Sequence, residues 1–100
     1  MNKLLSMLGL AARAGCLVSG VQAVEIALKK GEAKVVILDE DVSANTKKKM
    51  TDACLHTKTP LITVSACSLG NAIGKPGRMI ASVTNSSFAD RICQLKKEIG

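Results

Sequence analysis

Tryptophan and tyrosine are absent from this chain of 100 residues, and Phe88 is its one aromatic. Proteins that hold single-stranded nucleic acid by stacking bases on aromatic platforms need several such rings, so that design is excluded. There is one histidine, His56, and no C-x-x-C pair among Cys16, Cys54, Cys67 and Cys93. A zinc site needs clustered ligands, so no metal is expected. Each cysteine has apolar neighbours, which predicts four reduced thiols buried as small hydrophobes. A disulfide framework would require export.

The opening MNKLLSMLGLAARAG does carry Lys3, a short apolar run and Ala12-Arg13-Ala14, in the manner of a secretory signal. Gly9 and Arg13 interrupt it, and Leu4, Leu8 and Ala11 recur at helical spacing, so it reads as part of the fold. No apolar run approaches the roughly 20 residues of a membrane span. The expectation is a cytoplasmic protein with no membrane partner.

Acidic residues are also few: eight, against fourteen Lys and Arg, which leaves a net charge of +6. That balance favours a polyanionic partner. With 47% apolar residues, the chain is just large enough to bury a core without staples, and it reads as one domain, 1–100. There is no linker, repeat or low-complexity stretch.

Two apolar periods alternate along the chain. Residues 2–14 read as a helix closed by Gly15, and CLVSG as a short extended piece. Ser19 is a candidate cap for a second helix over 20–30, with Val24, Ala27 and Leu28 on its core side. KVVIL, 34–38, is a continuous β-branched run, as in a strand buried on both faces. Ser43 predicts the start of a helix over 44–57. PLITV, 60–64, reads as a second buried strand with Pro60 at its edge, where a missing N–H is tolerated. SLGNAIG is a short helix ended by Gly74, RMIASVT (78–84) a further strand. In the last helix Phe88, Ile92, Leu95 and Ile99 share one face. Strands separated by helices imply a βαβ-type sheet covered on both faces, with ligands meeting strand carboxyl ends and helix amino ends.

DEDVSANTKKK, 39–49, then invites chemistry. Asp39, Glu40 and Asp41 could hold a metal or receive a phosphoryl group, but no second acidic cluster follows the later strands to complete such a site. They could equally favour the positive end of the next helix. Lys47, Lys48 and Lys49 fan through about 200° of that helix and cannot all face one partner. GKPGR, 74–78, is a basic loop without Walker spacing, either a tight connection or a phosphate contact. Cys54 and His56 lie two apart on a helix and point apart, so no nucleophile–base pair is found and no catalytic residue or cofactor is expected.

LLSMLGLAARAGCLVSG, GEAKVVILDEDVSANTKKKMTDAC, PLITV and SLGNAIGK together resemble the kink-turn RNA-binding ribosomal protein family, the superfamily of archaeal large-subunit protein seven-A and eukaryotic large-subunit protein thirty. Within it the chain is most similar to the small bacterial YlxQ-like branch. The resemblance covers nearly the whole chain, in order. It implies an α/β fold, a three-layer α/β/α sandwich around a mixed four-stranded sheet. It implies a non-enzymatic protein of translation that binds kink-turn or ribosomal RNA, with ribosomal proteins as candidate neighbours, no DNA, and a monomeric state. A protein-interaction module that keeps the fold with weakened RNA binding is the alternative.

Carried over by position, the RNA-reading helix begins at Gly20. Val21 stands where threonine is common, Gln22 where asparagine or lysine is usual, and Ala23 where Glu or Gln is frequent. Ile26 replaces a lysine, and Lys30 matches a basic position. Glu40 and Asp41 match an acidic pair. The base-covering loop corresponds to Gly74, Lys75, Pro76, Gly77, Arg78 and Met79, with Ile73 leading into it. Lys47 joins the set as a phosphate contact. Ala23 has no hydrogen-bonding side chain and Ile26 no charge, which by analogy with base-specific pairings removes roughly 1–3 kcal/mol each.

Overall fold

The computed structural model describes residues 3–99, with the side chains of 97–99 outside the description. Helix and strand alternate: α1 (Lys3–Arg13), β1 (Leu17–Ser19), α2 (Val21–Lys29), β2 (Val35–Asp39), α3 (Ala44–Thr57), β3 (Leu61–Val64), α4 (Ser68–Ile73), β4 (Ile80–Val83) and α5 (Ser86–Ile99). The strands form one sheet in the order β1-β4-β2-β3. β2 and β3 run parallel across the α3 crossover, while β4 is antiparallel to both β1 and β2. The sheet is therefore mixed.

Successive strand residues point to opposite faces, and both faces of this sheet are apolar. Val35, Ile37, Ala81 and Val83 pack against Leu4, Leu8, Leu69 and Ile92 from α1, α4 and α5. Val36, Leu38 and Ile80 pack against Val24, Leu28, Met50 and Cys54 from α2 and α3. The result is a three-layer α/β/α sandwich around a mixed four-stranded sheet. Each fully buried Leu, Ile or Val contributes about 1.5–3 kcal/mol of transfer free energy. Ser82 is buried in β4, and its hydroxyl donates to Val35 O at 3.0 Å, so no polar group is stranded there.

Val35 to Leu38 of KVVIL form the buried strand expected, which starts one residue later than 34–38 and runs on to Asp39, while Lys34 is exposed ahead of it. Ser43 caps α3, its Oγ accepting the Thr46 N–H at 3.2 Å. In α5, Ile92 and Leu95 are buried and Phe88 half-buried; the expected contribution of Ile99 lies outside the described side chains, as residue 2 of the first helix lies outside the described residues.

Four expectations need correction. PLITV is an edge strand, and Ile62 and Val64 are buried while Leu61 and Thr63 are half-exposed. Ser19 does not cap α2, because it pairs with Ala81 within the sheet; the cap position falls to Gly20, which offers no side chain. The last strand starts at Ile80, leaving Arg78 and Met79 in the loop before it. Of the cysteines only Cys54 is buried; Cys16 and Cys93 are half-buried and Cys67 is exposed.

Candidate functional site

Gly20 has φ 96° and ψ 151°, a region that side-chain-bearing residues avoid. Its N–H donates to Ile80 O at 3.0 Å, which joins the start of α2 to the start of β4. The Arg78 side chain lies over it: a Cβ at Gly20 would stand 2.8 Å from the guanidinium Nη1. No side chain caps α2, so its first-turn N–H groups, at Val21, Gln22 and Ala23, face outward with the positive end of the helix dipole. Gly20, Val21, Ser43, Thr46, Gly77 and Arg78 surround an open cavity of about 330 Å³. A helix amino end, a helix cap and a basic loop thus converge at one end of the molecule. Chemically it offers donors and positive charge.

The acidic turn divides its labour. Asp39 is fully buried, and its carboxylate accepts N–H groups from Asp41 (2.9 Å), Cys67 (3.0 Å) and Leu69 (3.3 Å). It caps α4 from a neighbouring strand, since the local cap residue, Cys67, makes no side-chain cap of its own. A carboxylate committed to three backbone donors is poorly placed to receive a phosphoryl group. Glu40 is exposed and its N–H donates to Val64 O at 2.9 Å. Asp41 accepts the Cys67 thiol at 3.2 Å. That hydrogen bond, and then the carboxylate charge itself, raises the Cys67 pKa above its ordinary value. Burial raises that of Cys54. Among the described residues, no three His, Cys, Asp or Glu side chains are grouped as metal ligands.

The remaining positions scatter in an orderly way. Gln22 is exposed, Ala23 half-buried, and Ile26 exposed at 53% on the outer face of α2. Lys30 follows the last turn of this nine-residue helix, about 15 Å along the axis from Gly20, and does not line the cavity. Lys47 and Lys48 are exposed, whereas Lys49 Nζ lies 2.5 Å from Glu25 Oε1 and ties α3 to α2. The Lys49 side chain is 62% exposed, while Glu25 is 29% exposed with its Oε1 covered, so this surface pair contributes about 1 kcal/mol at most. Ile73 is buried in the core and positions the loop from beneath. Gly74 ends α4 with a positive φ, and Lys75, Pro76 and Gly77 are exposed. The loop folds back on α4: Lys75 N donates to Gly70 O at 2.9 Å, and a Cβ at Gly70 would stand 2.9 Å from Lys75 O.

Sequence reasoning did not select Ser43 and Thr46 for this site, nor Arg13, which reaches the loop from α1. Ser43 was legible as a cap, and its second position, on the cavity wall, follows only from the sheet order.

This fold and this convergence of elements define the class. The chain belongs to the Ribosomal protein L7Ae/L30e/S12e/Gadd45 family, which matches over residues 2–93. It is 43% identical over 90 residues to the RNA-binding protein YlxQ of Bacillus subtilis (strain 168), covering 89% of this chain and 90% of that protein. It is 32% identical over 95 residues to the RNA-binding protein YlxQ of Enterococcus faecium, with 94% and 91% covered. A solved structure of a protein with unknown function from Bacillus halodurans C matches with a TM-score of 0.93 at 38% identity, over 97% of this chain and 99% of that one. The Giardia lamblia 15.5kD RNA binding protein shares the fold, with a TM-score of 0.80 at 18% identity, over 96% and 83%. None of these names describes an enzyme.

Proposed function

We propose that this protein binds structured RNA, of the kink-turn kind or within ribosomal RNA, as a single-domain, monomeric, cytoplasmic protein of translation. The observation that carries the reading is the uncapped amino end of α2 lying beneath the Arg78 guanidinium. The names of the two YlxQ relatives support it. Backbone N–H groups of Val21, Gln22 and Ala23 meet phosphate or base acceptors, and Arg78, Lys75 and Lys47 add charge. Gln22 and Glu40 are the polar side chains able to discriminate. Binding selects the sharply bent form of a flexible RNA, a shift of population and not a reaction.

The test is one titration of three RNAs: a kink-turn, the same RNA with its G·A pairs replaced, and a plain duplex. Selective binding to the first is expected, with log affinity falling against log salt at a slope of about −4 for five neutralised phosphates. Equal, weak binding to all three would reduce the function to electrostatics. Cosedimentation with ribosomal subunits tests the link to translation.

A second reading draws on Ile26, 53% exposed, and Val21, 36% exposed, which put apolar surface on the same helix. It makes this end a protein-docking surface that has lost RNA affinity. A stoichiometric protein partner surviving nuclease treatment would favour it.

A further inference from the structure

The eight carboxylate side chains leave two long stretches empty: none lies before Glu25, and none lies between Asp52 and Asp90. Those stretches still hold Lys3, Arg13, Lys58, Lys75 and Arg78. The fold brings Arg13, Lys75 and Arg78 to one region, through β1 paired with β4 and through α1 packed along α4. The helices approach closely because Gly9 has no side chain; a Cβ there would stand 2.8 Å from Ala72 O. One turn beyond this contact, Arg13 at the end of α1 meets Lys75 just past α4. Both are exposed, and both line a cavity of about 130 Å³ with Ala12, Leu17 and Ile73. The turn continues from Lys75 O to the Arg78 N–H at 3.2 Å, and Arg78 reaches Gly20. No carboxylate lines this cavity or the one at Gly20.

We propose that Arg13, together with Lys75, is a second phosphate-contact locus that carries the RNA footprint from the amino end of α2 across the loop to the carboxyl end of α1. The inference rests on the RNA-binding reading above. Cations gathered without counter-charges raise the local potential, which a polyanion relieves. The cavity has no aromatic wall and few polar groups, so it suits backbone phosphate on a stem flanking the contacted element, not a base. Such contacts fix orientation and carry no sequence information.

Arg13 is also favourable at the carboxyl end of α1 for purely local reasons, so the experiment must read more than stability. Wild type, Arg13→Gln, Arg13→Lys and Lys75→Gln are titrated across a salt series against kink-turn RNA with long flanking stems and against its G·A-replaced counterpart. Thermal unfolding checks each fold. Arg13→Gln and Lys75→Gln are each expected to weaken both RNAs by the same factor and to make the salt slope shallower by about one. Arg13→Lys keeps the slope. Wild-type affinity and slope in Arg13→Gln would overturn the extension while leaving RNA binding in place. A loss confined to the kink-turn RNA would overturn its sequence independence. Absence of RNA binding by wild type would overturn both readings.

Discussion

Asp39 holds the backbone N–H of Cys67 at 3.0 Å, across 28 residues of chain. The same carboxylate reaches Leu69, so the central strand fastens the start of α4, and through α4 the loop that carries Lys75 and Arg78.

Replacing Asp39 with Ala strands three backbone donors, one of them at a fully buried contact. Urea unfolding is expected to show a loss of about 2–4 kcal/mol, from hydrogen bonds to a charged group and the desolvated donors left behind. Asp39→Asn keeps one acceptor oxygen and loses less. A change below about 0.5 kcal/mol in the Ala variant would contradict the capping role.

Gly20→Ala forces a side chain into φ 96° and displaces the Arg78 guanidinium. The backbone strain costs about 1–3 kcal/mol, while the guanidinium, at the end of a flexible chain, moves aside. Arg78→Gln separates the two effects. It should unfold at the wild-type temperature and yet bind RNA several-fold more weakly; unchanged affinity would remove Arg78 from the interface.

Exposed as it is, Cys67 is expected to react slowly. Asp41 favours its neutral thiol, so the pH midpoint of its alkylation lies above that of a cysteine in an unfolded peptide. Because the folded pKa is the higher one, the stability contributed is present below the unfolded pKa and is lost as pH rises through the folded value. Asp41→Asn should lower the midpoint. If Asp41→Asn leaves it unmoved, the carboxylate is not the cause.

Ile26→Lys restores a cation on the outer face of α2. With the side chain more than half exposed, stability should change by no more than about 0.5 kcal/mol. Affinity for kink-turn RNA should rise at low salt and the slope steepen by about one. No gain would place the bound RNA away from this face and strengthen the protein-docking alternative.

Much of this architecture was legible in the sequence where a residue's neighbours along the chain decide its state. Ser43 caps the helix that follows it, and the four apolar residues Val35, Val36, Ile37 and Leu38 in succession can only be buried. Expectations failed where a distant segment decides. Ser19 has the chemistry of a cap, but Ala81 recruits it into the sheet. PLITV is as apolar as an internal strand, yet the crossover leaves it at the edge. Asp39 looked like one of three equivalent carboxylates until α4 arrived to use it. Arg13 drew attention only as an interruption in an apolar run, because nothing local says that Lys75 will stand beside it. The candidate site is the extreme case: Gly20, Ser43 and Arg78 sit on three separate connections, and the antiparallel insertion of β4 between β1 and β2 unites them.

That insertion has a thermodynamic consequence. Met79 and Ile80 offer their carbonyls to Asp39 and Gly20 on either side, at 2.9 and 3.0 Å, and the loop's other end is pinned to Gly70. A free loop would surrender its conformational freedom when it closes on a ligand, at about 1–2 kcal/mol per residue fixed. Here much of that ordering is completed during folding, so on the RNA-binding reading proposed above the conformational adjustment would fall to the nucleic acid.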